Sequence, residues 1–422
     1  MPSHIQAKNV RTVPKAKIGI YDVSMGAKGG GEKQALVLAE HLARAHNVRL
    51  IVERPLDIDA LKSCFDVNMR GIEIVVLKKP ALLLAAARLF RGTRLEQLGT
   101  QLVHFLQIKA LKLDVFINNS FSSNLVCPAP RGIYMCMFPH PPAPLYEADG
   151  WPRKAYHSFT DRLEKSALSR PIAEAMSSYS IVTVNSRYTG EWVRKLWGRR
   201  SKVTYSVCDD MGPPATKEKI ILNVGRFTAH GTGTWRKRQE ILLDVFKRLT
   251  DIHRDGWQLH FAGSVEEDEN AALSSLMAKL VDSARGYPVF FHFDADLAAL
   301  RTLYRKASIY WHATGYGFSV EERPDLQEHF GITTVEAMSA GAVPIVINSG
   351  GQREIVTHEV NGFLWDDLAE LADQTIRVIN DEALLKRLSR QAVLSSGKFS
   401  RTAFSAAMNE IVEGLISEAA TL

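Results

Sequence analysis

The stretch Glu328-His-Phe-Gly-Ile-Thr-Thr-Val-Glu336-Ala-Met-Ser-Ala-Gly341-Ala-Val-Pro-Ile345 carries two carboxylates eight positions apart, a helical pattern and then a β-branched run. Thr333–Ser339 reads as a helix beginning at Phe330–Gly331, and Pro344–Ile347 as a strand. The N–H groups of the helix's first turn have no partner within the helix and suit a phosphate or a hydroxyl oxygen. Glu328 flanks that entrance, and Glu336 lies in the second turn. Full helical spacing separates them by about 12 Å, too far to share a proton and right for the two ends of an extended polar ligand. Val335, Ala337 and Met338 read as core, so the helix is docked; its Glu336 is then either a ligand group or a solvated residue.

The same alternation extends outward in both directions. Strands are expected at Lys17–Val23, Val48–Val52, Ile72–Leu77, Asp114–Asn119, Gly132–Phe138 and Ile181–Asn185, with an amphipathic helix over Glu32–Ala45. Met211-Gly-Pro-Pro-Ala-Thr216 interrupts the pattern, as Gly and Pro neighbours do. It resumes with strands at Ile220–Val224, Gln258–Ala262, Val289–Phe293 and Ile309–His312, and helices at Glu240–Leu249, Ala271–Ser283 and Leu297–Lys306. Such alternation predicts an α/β protein with two doubly wound, Rossmann-like parallel-sheet domains. The expected boundaries are a basic tail over 1–16, domains over 17–212 and 213–400, and a terminal segment over 401–422. In that segment Phe404, Met408, Ile411 and Ile416 predict a helix that packs back on the N-terminal domain.

Composition sets the outer limits. The chain has 422 residues, 46% apolar and 23% charged, which excludes disordered, collagen-like and coiled-coil classes. Cys64, Cys127, Cys136 and Cys208 form no CxxC pair, so no zinc site is expected. Neither a secretory leader nor a run of about 18 apolar residues is present, and a reducing, cytoplasmic setting is expected. The glycine cluster Gly26-Ala-Lys-Gly29-Gly-Gly31-Glu-Lys33 follows a strand and opens a helix, but it lacks the Lys-Ser/Thr of a P-loop and the third glycine of a dinucleotide fingerprint. What remains is a turn where a ligand can approach the backbone, or a tight turn with no ligand. No HExxH or GxSxG spacing supports a hydrolase.

Taken together, these motifs resemble those of retaining glycosyltransferases of the GT-B fold, family 4. Glu328-x7-Glu336 followed by Ala-Met-Ser-Ala-Gly-Ala-Val-Pro is similar to the family signature, and Gly29-Gly-Gly-Glu32 to its N-domain glycine turn. Asn223-Val-Gly-Arg226-Phe, with Lys237-Arg-Gln-Glu-Ile-Leu-Leu, resembles its diphosphate-binding strand and helix. Gly350-Gly-Gln-Arg-Glu354-Ile-Val with Asn361-Gly-Phe-Leu364 resembles its closing segment. Val182-Thr-Val-Asn185-Ser-Arg-Tyr-Thr and Tyr205-Ser-Val-Cys208-Asp look closest to mannosyltransferases that extend lipid-linked oligosaccharides.

The resemblance implies two domains facing a central cleft, with the acceptor on the N-terminal side and the nucleotide sugar on the C-terminal side. It implies that Arg226 and Lys237 hold the diphosphate, Glu328 with the Phe330, Gly331 and Ile332 backbone the donor sugar, and Glu336 the ribose. Gly30 and Gly31 would admit the diphosphate or sugar to the N-domain backbone. No cofactor or metal is implied; a GDP- or UDP-hexose is the donor substrate. Where relatives carry a histidine before an aromatic-Pro pair, this chain has Met137. His140, three residues on, either substitutes for it or is a plain loop histidine. A non-catalytic scaffold subunit and a sugar-nucleotide epimerase are the competing readings.

The formal charge of +6 conceals an asymmetry. Residues 1–210 hold 30 basic and 18 acidic residues, residues 211–422 hold 22 and 28. Lys78–Lys112 contains Lys78, Lys79, Arg88, Arg91, Arg94, Lys109 and Lys112 against Glu96 alone, interleaved with leucines and phenylalanines. This basic amphipathic segment suits an anionic membrane surface, or else is a solvated rim over a core. No nucleic-acid motif accompanies it. The expected location is thus peripheral, on the cytoplasmic face of a membrane.

Overall fold

The structure, a computed structural model, describes residues 15–23, 25, 29–78, 94–121, 123–139, 175–230, 234–265 and 271–420. His140, most of the 1–16 tail and residues 79–93 of the basic segment lie outside them.

The first half contains β1 (Lys17–Tyr21), α1 (Gly30–Leu42), β2 (Asn47–Val52), α2 (Ile58–Phe65), β3 (Ile72–Val76), α3 (Arg94–Ala110), β4 (Val115–Asn118), β5 (Arg131–Cys136), β6 (Ile181–Val184), α4 (Arg187–Trp197) and β7 (Lys202–Val203). Its seven strands are parallel in the order β3-β2-β1-β4-β5-β6-β7. The inner strands are apolar on both faces, because helices cover both. Ile18, Ile20, Leu50, Val52, Val115 and Ile117 point to one core, and Tyr21, Ile51 and Phe116 to the other. This is the period-2 alternation of a strand buried on each side.

The second half contains β8 (Glu218–Val224), a short hairpin of β9 (Ala229–His230) and β10 (Thr234–Trp235), α5 (Gln239–Arg248), α6 (Thr250–Arg254), β11 (Gln258–Gly263), α7 (Ala271–Ser283), β12 (Val289–Phe293), α8 (Leu297–Lys306), β13 (Ala307–His312), α9 (Ile332–Ser339), β14 (Val343–Ile347), α10 (Gln352–Ile355), β15 (Phe363–Trp365), α11 (Leu368–Asn380) and α12 (Glu382–Ser396). The sheet order is β12-β11-β8-β13-β14-β15, again parallel. In both sheets the first strand lies between strands that run out to opposite edges. The crevice at the carboxyl end of that first strand is where doubly wound folds bind ligands.

The expected strands and helices are all present with ends shifted by up to three residues. Strands β7, β9, β10 and β15 were not expected, since two or three residues are too few to show a period. The chain then crosses back. Cys208 N–H donates to Phe399 O at 3.1 Å, so the outgoing and returning segments run side by side. The last helix, α13 (Arg401–Ala420), places Phe404, Met408, Ile411, Val412, Leu415 and Ile416 in the N-domain core with α1 and β2. His46 to Glu413 (2.9 Å) and Lys202 to Glu410 (2.8 Å) fasten its outer face.

Candidate active site

The carboxyl-end crevices of the two sheets meet each other: Gly30 lies against Ile332, and Lys33 reaches Glu336. Arg226 follows β8 and is exposed, with no ion pair among the described residues. Lys237, between β10 and α5, places its Nζ 2.7 Å from Glu328 Oε2. His312, the last residue of β13, brings Nε2 to 3.0 Å from the same oxygen. Burial alone would raise the Glu328 carboxyl, but the Lys237 ammonium and the His312 ring hold it well below the usual carboxylate range. Burial pulls His312 down, so the ring is neutral at physiological pH.

Phe330 is buried against the rings of Tyr205 and Phe399. Gly331 caps α9 with φ at +119°, a backbone conformation that side-chain-bearing residues rarely adopt. The first N–H groups of α9, which follow this turn, have no acceptor a turn earlier within the helix. Ile332 opens the helix and reaches across to the N-terminal domain: a Cβ on Gly30 would run into its Cδ1, as one on Gly31 would run into the methyl of Met137. The glycine turn is therefore tight because two apolar side chains close on it. Asn119 steadies the turn, its Nδ2 donating to Gly31 O at 3.0 Å and to Asp22 at 2.6 Å.

Glu336 is neither solvated nor free. Lys33 of α1 donates to its Oε1 at 2.9 Å and Tyr304 of α8 to its Oε2 at 3.3 Å. Lys33 also meets Asp209 at 2.8 Å, which in turn receives Arg401 Nε at 2.6 Å. Two cations and two carboxylates, all buried but the half-buried Arg401, thus form a balanced set spanning both domains. Burial opposes the Lys33 ammonium, yet Glu336 and Asp209 raise it above its ordinary value; burial likewise opposes Asp209, and Lys33 with Arg401 lowers it.

A second interdomain contact lies beside this set. Ser186 donates to His329 O at 2.5 Å, and Glu354 accepts the Arg187 and Tyr188 N–H groups, each at 2.9 Å. A carboxylate there also offsets the positive end of the α4 dipole. Phe138 stacks on His329 with centroids 4.0 Å apart and planes 9° from parallel.

Sequence reasoning had Lys33, Asp209 and Glu354 within quoted motifs but gave them no role, and it passed over Tyr304 and His312. The one available signal for His312 was its place at the carboxyl end of a largely apolar strand next to the first strand of the sheet. Among the described residues, no group of three or more His, Cys, Asp or Glu is arranged to hold a metal.

Two Rossmann-like domains meeting through their carboxyl-end crevices make this a GT-B fold. The family model described as glycosyl transferases group 1 matches residues 211–394, which take in the whole second sheet. Among curated proteins, the chain is 26% identical over 271 residues to the GDP-Man:Man(3)GlcNAc(2)-PP-Dol alpha-1,2-mannosyltransferase of Dictyostelium discoideum, covering 58% of this chain and 50% of that protein. It spans about half the length of the first such relatives. The alpha-1,3/1,6-mannosyltransferase alg-2 of Neurospora crassa is 23% identical over 98% of this chain and 92% of its own length. Among solved structures, Anabaena HepE in complex with UDP and glucose superposes with a TM-score of 0.64 at 17% identity, covering 94% and 99% of the two chains. Sucrose-phosphate synthase of Thermosynechococcus elongatus superposes with a TM-score of 0.67 at 16% identity, covering 96% and 100%. At these identities the solved structures speak for the fold.

Proposed function

We propose that this chain is a retaining, metal-independent glycosyltransferase that moves a hexosyl unit, mannose by closest resemblance, from a nucleotide sugar to a lipid-linked glycan. The observation that carries the reading is the Lys237–Glu328 pair at the carboxyl end of the second sheet, partly open to the crevice, beside the exposed Arg226 and the free N-terminus of α9. Cations and helix N–H groups there suit a diphosphate, and a carboxylate held ionised suits sugar hydroxyls. The donor diphosphate would lie on Arg226 and Lys237, its sugar on Glu328 and the Phe330–Ile332 backbone, and its ribose at Glu336.

In the reaction so assigned, the bond between C1 of the sugar and the diphosphate oxygen breaks while an acceptor oxygen bonds C1 on the same face. The acceptor's proton passes to a donor phosphate oxygen, so no protein nucleophile is needed. Arg226 and Lys237 face the charge that grows on the leaving diphosphate, where stabilisation lowers the barrier.

A lipid-linked acceptor is favoured by what the relatives' names state of those proteins and by the outer face of α3. There Leu102 and Leu106, 37% and 53% exposed, share one face with Lys109. No helix among the described residues is long and apolar enough to cross a membrane. The deciding experiment is a screen of GDP- and UDP-hexoses with and without membrane lipid extract, with EDTA present. Sugar transfer to lipid with retained anomeric configuration is expected. Donor conversion without lipid identifies an epimerase, and absence of donor binding a scaffold; either outcome sinks the proposal.

A further inference from the structure

Glu328 stands on an irregular segment, so no helix or strand fixes its side chain, and its orientation depends on what it touches. Both of its donors, Lys237 Nζ and His312 Nε2, meet Oε2; Oε1 receives none among the described residues. The two donors differ in mobility. Lys237 is a flexible four-carbon side chain, 26% exposed. The His312 side chain is 3% exposed and ends a fully buried strand that is paired on both sides. Asn223 of β8 braces that strand end further, donating to Trp311 O at 2.9 Å.

The ring's other contacts fix its proton. Nδ1 is buried with no partner among the described residues, and Thr314 Oγ1 lies 3.1 Å from Nε2. With the proton on Nδ1, a buried donor would be orphaned and the Nε2 lone pair would confront a carboxylate. With it on Nε2, the ring donates to Glu328 and only an acceptor is left bare, the better tolerated of the two defects. A nitrogen left unpaired in a core calls for an explanation, and the hold on Glu328 supplies one.

Resting on the nucleotide-sugar reading above, we propose that His312 is the positioning residue for Glu328. It holds Oε2 so that Oε1 faces the donor sugar, and it keeps that hold when Lys237 is drawn to the diphosphate. An ammonium has a better partner in a diphosphate than in one carboxylate; a neutral imidazole has no comparable pull away from Glu328. The site therefore gives its carboxylate one donor that can leave and one that stays.

Two measurements test this. In the first, ¹⁵N spectra of imidazole-labelled protein, with the His312 signals assigned by substitution, are expected to show the neutral Nε2–H form, perturbed in Glu328→Gln. An Nδ1–H ring, or signals indifferent to Glu328→Gln, overturns the hold whatever reaction the protein catalyses. The second compares His312→Leu with His312→Gln, whose amide can reproduce the Nε2 donor, using GDP-mannose and UDP-glucose as donors and calorimetry with GDP and UDP. The Leu variant is expected to lose about 10–100-fold in kcat, as residues that orient a ligand-binding group do. KM and nucleotide affinity should stay within about threefold, and Gln should restore most of the loss. Equal kcat in the two variants, or a loss of nucleotide affinity matching the loss of turnover, overturns the positioning role. A wild-type protein that turns over none of the GDP- and UDP-hexoses of the donor screen sinks the glycosyltransferase reading, while the ring spectra still decide the hold.

Discussion

Lys33 Nζ of the first domain lies 2.9 Å from Glu336 Oε1 of the second, inside a buried set that includes Asp209 and Arg401. Each ion in that set is balanced, so removing one member strands another. Lys33→Met leaves two carboxylates without their shared cation and is expected to cost about 3–5 kcal/mol, the usual penalty for breaking a buried pair. Lys33→Met/Glu336→Gln should recover part of that loss. Denaturant unfolding of the single and double variants reads the coupling, and strictly additive losses would refute it.

Arg226 is exposed and unpaired among the described residues, so Arg226→Ala is expected to change stability by no more than about 0.5 kcal/mol. Nucleotide-sugar binding and turnover should fall by at least about tenfold, the weight of one charge-assisted contact. Calorimetry with the preferred nucleotide and a melting curve on the same sample separate the two effects. A variant that melts early and binds normally would place Arg226 outside the site.

Burial holds the His329 ring at about 4, against 6.5 for an ordinary histidine. Between those values the unfolded chain takes up a proton that the native ring refuses, so stability is present above pH 6.5 and drains away as pH falls toward 4. Melting temperatures should drop over that window, and His329→Gln should flatten the slope. An unchanged slope would assign the acid sensitivity elsewhere, His260 being the alternative, since burial and the neighbouring His292 also pull it down to about 4.

Leu106→Glu, on the outer face of α3, is expected to leave the melting temperature within a few degrees, because the side chain is 53% exposed. Flotation with vesicles containing anionic lipid should weaken for this variant and at raised salt. Flotation indifferent to both would reduce the basic segment to a solvated rim.

The sheets were legible because their inner strands are buried on both faces: runs such as Ile309–His312 cannot be anything but inner strands once a helix precedes and follows them. The C-domain half of the site was legible for a local reason, since Glu328, Phe330–Ile332 and Glu336 lie on one short loop and helix. What the sequence concealed was partnership at a distance. Lys33 and Glu336 are 303 positions apart, and nothing in either neighbourhood marks them as a pair. His312 escaped because a histidine closing an apolar strand looks like any core histidine until the residue opposite it is known. The return of α13 was the exception, because its apolar spacing leaves a face that something must cover.

That return has a consequence for synthesis. The N-domain core is completed by Phe404, Met408, Ile411 and Val412, residues made only after the whole second domain has been translated. Until they emerge from the ribosome, the α1 and β2 surface that they cover stays wet, while residues 208–399 already hold two cores of their own. The second domain is thus positioned to fold first in a chain read from the other end.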